Sequence, residues 1–325
     1  MSFPQQHNRN ADAWLLTDGH AGNVRQAEAL ARALGLHARI PAPLQPTAPW
    51  RWLAPRRLPG ARRAFGPAFA AALEQAPPAL AIGCGRQGAL ATRLAREHGA
   101  RAVQILDPRL DPAHWDVVVA PGHDGLRGAN VIPVLGSLNP VDDAWLADAI
   151  THFPALLALP RPRVALLVGG PTRNAPWTVR GLEARLERLR RHVAGAGGSL
   201  LATVSRRTPT EVRNRLHGHM RGLPGLLWEG DGANPYPAML ACADHLVCTP
   251  DSVNMLSEAC ATAAPVHVFE PERARGRIGT FLAALAALDR IRPVDDALVP
   301  FDVVPLRETA RVAAAVRDRL DLPGG

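Results

Sequence analysis

The chain has 325 residues, 47% hydrophobic and 20% charged, which suits a soluble globular protein of two domains or one large one. It contains no run of about 18 uncharged apolar residues, so no helical membrane span is expected, and its polar start, MSFPQQHNRNADA, lacks the apolar core of a secretory signal. The formal net charge is +8 and all 37 basic residues are arginine; the excess favours anionic partners such as nucleotide phosphates or acidic lipid, while the single tyrosine and the lack of any nucleic-acid motif argue against nucleic acid.

In chain order, residues 1–12 are polar and expected to lack fixed structure. Residues 14–17 read as a strand, Asp18-Gly19-His20-Ala21-Gly22-Asn23 as a tight glycine loop, and 24–34 as a helix with Gly35 behind it. This is neither G-x-G-x-x-G nor a phosphate-binding Gly-Lys-Ser/Thr loop, so a dehydrogenase or ATPase has no support. Residues 41–67 are rich in Pro, Arg and Trp. They read as a surface connection or as a peripheral membrane patch, with Trp50, Trp52 and Phe65 at headgroup level. Arg51, Arg56, Arg57, Arg62 and Arg63 would then lie on anionic lipid.

A strand at 78–82 leads into a second glycine loop, 83–88, carrying Gly83, Gly85 and Arg86, then a helix at 89–98. Strands follow at 102–106, 117–120 and 131–134, and a helix at 145–159. Pro160-Arg161-Pro162 reads as a hinge. The strand at 163–168 closes on Gly169-Gly170, restarting the strand-to-glycine pattern. A helix at 179–195, a strand at 199–204 ending in Ser205-Arg206-Arg207-Thr208, and a short strand at 226–228 come next. Beyond them lie Asn234-Pro235-Tyr236, a short helix at 237–243 and a strand at 245–248.

That last strand runs into Thr249-Pro250-Asp251-Ser252, a good helix start. The following helix carries Glu258 about 1.7 turns past Ser252. Main-chain N–H groups at such a strand end favour anions, and Glu258 suits ligand hydroxyls as an acceptor; the plainer reading is that Asp251 and Ser252 only cap the helix. A strand at 266–269 and helices at 276–289 and 307–320 complete the chain. The expected fold is α/β, with two Rossmann-like domains facing across a cleft. Residues 1–159 are expected to form the first domain and 160–306 the second, with 307–325 packing back on the first.

Cys84, Cys242, Cys248 and Cys260 form no C-x-x-C pair and read as reduced, packed thiols of a cytosolic protein. His217-Gly218-His219 lacks the further ligands a metal site needs and reads as a solvated loop.

Five ordered motifs, TDGHAGNVRQAEALARALG, VGGPTR, SRRT, NPYPAMLACAD and TPDSVNMLSEA, resemble the bacterial branch of the mitochondrial-fission "elongated mitochondria" family. The likeness covers about residues 13–320, and members of that family look like GT-B glycosyltransferases. Asp18, Gly19, Gly22 and Asn23 match the family's opening loop. Gly169, Gly170, Ser205, Arg206, Asn234, Tyr236, Asp251, Ser252 and Glu258 match its second-domain motifs, while Asn254 and Pro250 depart from them. The resemblance implies a GT-B-type transferase with a nucleotide-diphosphate sugar, of UDP type, as substrate and no cofactor. Gly169, Gly170 and Ser252 would offer N–H groups to phosphate, Arg206 or Arg207 positive charge, and Glu258 an acceptor for ribose. Asp18 stands first, and His20 second, as the base; no Asp-x-Asp points to a metal. The acceptor would be an envelope lipid or glycan, and the location cytoplasmic, peripheral at the inner membrane. The alternative is a non-catalytic nucleotide-binding or membrane-recruiting protein on the same scaffold.

Overall fold

The computed structural model describes residues 13–40, 44–295 and 297–322. The expectation for residues 1–12 lies outside these, as do residues 41–43 of the Pro/Arg/Trp stretch. The chain divides into two compact units, Met1–Pro140 with Glu308–Gly325, and Val141–Arg307.

The first unit begins with β1 (Ala13–Leu16), α1 (Ala21–Ala33), β2 (Ala38–Arg39), α2 (Trp50–Leu53), α3 (Gly66–Gln75), β3 (Leu80–Cys84) and α4 (Gly85–Glu97). β4 (Arg101–Ile105), β5 (Val117–Pro121) and β6 (Val131–Val134) follow. The strands pair in parallel in the order β2-β1-β3-β4-β5-β6. Parallel sheets need both faces covered, and the alternation in β1 supplies both. Ala13 and Leu15 join a core with Ala27 and Leu30 of α1. Trp14 and Leu16 join another with Leu90 and Leu94 of α4, Leu73 of α3 and Trp50.

The second unit comprises α5 (Asp143–His152), β7 (Arg163–Val168), α6 (Val179–Gly195), β8 (Ser199–Val204), α7 (Thr210–Met220), β9 (Gly225–Trp228), α8 (Tyr236–Cys242), β10 (His245–Cys248), α9 (Val253–Cys260), β11 (Val266–Val268), α10 (Gly276–Ala287) and β12 (Ile291–Pro293). Its parallel sheet runs β12-β11-β10-β7-β8-β9. Counted from β7, that is the Rossmann order, 3-2-1-4-5-6 read from the other edge. Leu182, Leu186, Leu189 and Val193 of α6 recur at helical spacing and pack on Val164, Leu166 and Val168 of β7. The sequence reading placed α5 with the residues before it, yet α5 packs on α8 and belongs to the second unit.

The last helix, α11 (Glu308–Leu320), completes the first unit. Val312, Ala313, Val316 and Leu320 line its inner face and pack with Leu30 of α1, Leu34 just beyond that helix, and Val117 and Val119 of β5. Glu308 receives the Leu135 N–H at 2.9 Å, and Thr309 exchanges hydrogen bonds with the Asn139 main chain at 3.0 and 2.8 Å.

Two histidines stand side by side in the second sheet. His245 Nδ1 lies 3.3 Å from His267 Nε2, and Phe301 packs edge-on against His267. Burial, reinforced by His245, depresses the His267 pKa to about 4. The unfolded chain takes up this proton near pH 6.5, whereas the native fold resists it. The contribution is therefore complete above about pH 6.5 and is lost as pH falls towards 4, amounting to about 3 kcal/mol. Urea titrations at pH 7 and 4.5 should show the loss, and His267→Leu should remove this share of it. An identical pH dependence in the variant would assign acid sensitivity elsewhere.

Candidate functional site

In a sheet of Rossmann order the chain reverses direction between its first and fourth strands, and ligands bind beyond the carboxyl ends there. In the second unit these strands are β7 and β10, and the loops leaving them are knitted together. Gly169 N–H donates to Thr249 Oγ1 at 2.8 Å and Gly170 N–H to Asp251 Oδ2 at 2.9 Å. Trp177 Nε1 donates to Asp251 Oδ1 at 3.3 Å, and Arg207 to Oδ2 at 3.0 Å. The Asp251 side chain is fully buried. A Cβ on Gly169 would overlap this carboxylate, and one on Gly170 would overlap the Arg207 carbonyl. The expected offer of the Gly169 and Gly170 N–H groups to phosphate is therefore corrected, because both are spent inside the protein. Asp251 is neither helix cap nor exposed ligand group; it braces the two loops.

The loop after β8 is held as tightly. Thr208 Oγ1 reaches the Val168 and Gly169 carbonyls at 2.9 and 2.7 Å and accepts the Ser205 N–H at 2.9 Å. Ser205 Oγ accepts the Arg207 N–H at 3.1 Å, and Arg213 donates to the Ser205 and Thr208 carbonyls. Ser205 thus shapes the loop. Arg206 stands exposed, with no hydrogen bond or ion pair among the described residues.

Ser252 caps α9, its Oγ accepting the Met255 N–H at 3.4 Å. The N–H groups of Val253 and Asn254 find no protein acceptor among the described residues, as first-turn donors do unless something external accepts them. One and a half turns along, Glu258 is 5% exposed, and Tyr236 donates its hydroxyl to Oε2 at 2.6 Å. Tyr236 opens α8, and its N–H is held by Asn234 Oδ1 at 3.0 Å. At the far end of α9, buried Arg290 donates to the Cys260, Ala259, Thr262 and Ala264 carbonyls at 2.8, 3.3, 2.7 and 3.1 Å. It neutralises the negative end of the helix and fixes its axis. Trp177, Arg213 and Arg290 went unnoticed in the sequence, and Thr208 and Thr249 were read only as parts of their loops. A Thr or Trp beside a glycine loop carries no periodic signal, and Arg290 lies 30 residues from the carbonyl it caps.

In the first unit, Asp18 Oδ1 accepts two hydrogen bonds, from the His20 N–H at 3.1 Å and Asn23 Nδ2 at 2.9 Å. His20 Nδ1 lies 3.0 Å from the same oxygen, close enough for an ion pair if the ring is protonated, and the His20 side chain is 78% exposed. Gly19 sits in this loop, and Gly22 lies within α1. The second glycine loop is corrected: β3 runs to Cys84 and α4 starts at Gly85. Gly83 is a buried strand residue pressed against Thr92 and the Gly88 carbonyl. Gly85 has φ 76°, and a Cβ there would meet Asn23 Nδ2. Arg86 donates to the Arg51 carbonyl at 2.9 Å. The Cys84 thiol is buried, and burial together with the Asp18 charge pushes its pKa far up, so it does not serve as a nucleophile.

The proposed membrane residues divide. Trp50 is 7% exposed and belongs to the core, and half-buried Phe65 packs on Phe69 at 5.2 Å; Trp52 alone of the three is open, at 61%. No helix among the described residues is long and apolar enough to cross a membrane. His217 and His219 lie in α7 rather than a loop, against Glu229 and Glu187.

Two relatives and two solved structures resemble the chain. The Mitochondrial fission protein ELM1 of Arabidopsis thaliana is 29% identical over 283 residues, 77% of this chain, which spans 66% of that relative's length. An uncharacterized protein of Rickettsia prowazekii is 23% identical, covering 95% of this chain and 98% of its own. The UDP-GlcNAc 2-epimerase of Methanocaldococcus jannaschii superposes with a TM-score of 0.57 at 12% identity, over 94% of this chain and 99% of that one. The enzyme of the same name from Neisseria meningitidis, bound to UDP-GlcNAc, gives 0.52 at 11%, over the same shares. The scaffold is that of GT-B proteins, with two Rossmann-like units. Residues 21–320 match the model of the Mitochondrial fission ELM1 family, and the chain belongs to that family.

Proposed function

We propose that the chain is a GT-B-type glycosyltransferase that takes a nucleoside-diphosphate sugar of UDP type and needs no metal. One observation carries this reading: uncommitted first-turn N–H groups of α9, unpaired Arg206, and buried Glu258 with its Tyr236 partner lie beyond the carboxyl ends of β10, β8 and β9 of the second sheet, on both sides of β7. N–H groups at a helix start and a free guanidinium suit a diphosphate. A Glu side chain carries two oxygens that can accept from ribose hydroxyls, and Tyr236 donates to Oε2 of Glu258 and fixes its position. Diphosphate charge is met by Arg206 and main-chain dipoles, consistent with the absence of Asp-x-Asp from the sequence. The M. jannaschii and N. meningitidis neighbours, both epimerases acting on UDP-GlcNAc, make a UDP-sugar the first ligand to try.

Calorimetry with UDP is the test. Glu258→Gln should weaken binding by about 1–3 kcal/mol while the melting temperature stays near that of the wild type. Heat absent for every common nucleoside diphosphate at millimolar concentration would remove the donor site. Unchanged affinity in folded Glu258→Gln would make the Glu258–Tyr236 bond purely structural.

For transfer itself, His20 takes the acceptor proton, and the Asp18 charge beside the ring stabilises the imidazolium that forms. This reverses the order of the two residues read from the sequence. The acceptor is an envelope lipid or glycan.

A further inference from the structure

A cavity of about 590 Å³ opens in the first unit, on the sheet face opposite α1. Trp14, Leu44, Phe65, Phe69 and Ala72 supply its apolar wall, and Trp14 and Phe69 face each other at 6.3 Å. The volume falls within the range of about 300–1,000 Å³ usual for small-molecule sites. Its one charged lining residue is Arg39, exposed and without a carboxylate partner among the described residues. A second, independent feature surrounds it. Residues 29–73 contain seven arginines and no Asp or Glu. Arg57 pairs with Glu97, but Arg51, Arg56, Arg62 and Arg63 meet no carboxylate among the described residues. Ile40, Trp52 and Leu58 are exposed in the same stretch, and Arg51 lies over the Trp52 ring at 4.5 Å.

An apolar well beside an uncompensated cation selects by charge and by chain. We propose that this cavity binds a single-chain amphiphile with an anionic head, its hydrocarbon in the Trp14–Phe69 well and its phosphate or carboxylate on Arg39. Each methylene buried should tighten binding about fourfold, whereas a head group alone would gain only the screened attraction of an exposed arginine. The proposal does not rest on the nucleotide reading, since no residue is shared with it.

Dodecyl phosphate, octyl phosphate, dodecanol and inorganic phosphate, all below micelle-forming concentrations, are titrated against the full chain by calorimetry. Dodecyl phosphate is expected to bind at least about 10-fold more tightly than octyl phosphate or dodecanol, with no competition from inorganic phosphate. Arg39→Glu, at an exposed position, should cancel the preference for phosphate over alcohol. Ala72→Trp should fill the well and abolish binding; Ala68→Trp, at an exposed lining position, replaces it should the first variant fail to fold. UDP affinity, measured in parallel, should not change in any variant, which separates failure here from failure of the donor site. Equal affinity for dodecanol and dodecyl phosphate, or binding that survives a folded Trp variant, overturns the site. Flotation with phosphatidylcholine vesicles containing phosphatidylglycerol, without uptake of monomeric dodecyl phosphate, also overturns it by reducing the stretch to a surface that adheres to charged bilayers.

Discussion

Replacing His20 by Ala should slow sugar transfer by about 10²–10⁴-fold, the usual share of a positioned general base, with UDP affinity unchanged. His20 belongs to the first unit and the residues assigned to UDP belong to the second. Asp18→Asn should fall in the same range for a different reason. Asp18 Oδ1 lies 3.0 Å from His20 Nδ1, where its charge would stabilise the imidazolium formed as the base takes a proton, and a neutral amide would not. The Asp18→Asn loss should therefore appear in kcat, with KM for the nucleotide sugar little altered. UDP release from a panel of UDP-sugars, in the presence of an envelope lipid extract, is the readout. Wild-type protein that binds UDP and turns over no sugar would make it a nucleotide-binding protein instead. Full activity in folded His20→Ala would return the base assignment to Asp18.

Asp251→Ala should destabilise the second unit by about 3–5 kcal/mol, a large part of the 5–15 kcal/mol typical of a folded domain. The carboxylate is fully buried, and its removal orphans the Gly170 N–H and Trp177 Nε1, each costing about 1–3 kcal/mol. The half-exposed Arg207 adds little, since solvent screens it and receives it when freed. Asp251→Asn keeps an acceptor and should lose less. Gly169→Ala should resemble Asp251→Ala without touching the carboxylate, because its methyl would occupy the space of Asp251 Oδ2. Urea unfolding of all three decides the matter. Stability within about 1 kcal/mol of wild type for Asp251→Ala, together with lost UDP affinity, would make Asp251 a ligand contact and not a brace.

The strand-to-helix alternation was legible because buried parallel strands are short apolar runs bounded by glycine, as 163–168 and 199–204 illustrate. β2 and β12 were missed: with two and three residues, mostly exposed, they leave no run to see. α7 was missed because only Val212 and Leu216 mark its buried side. The glycine at each strand end was visible, but its purpose was not. Gly83, Gly169 and Gly170 make room for other parts of the protein, and whether a glycine admits a ligand or a neighbour depends on contacts far away in sequence. Gly170 and Asp251 are 81 residues apart. The Asp18–His20 contact lay within one hexapeptide, yet the approach of the two side chains followed only from the folded loop.

The position of α11 in the chain also sets the order of assembly. β1 to β6 and α1 leave the ribosome before the second unit, but the stripe of Val312, Ala313, Val316 and Leu320 that covers Leu30 and Leu34 is made after it. At about 5–20 residues per second, the intervening second unit delays it by about 10 s or more. During that interval the nascent first unit carries an open apolar face. Its folding can finish only after the second unit has been synthesised, although its sheet is made before that unit.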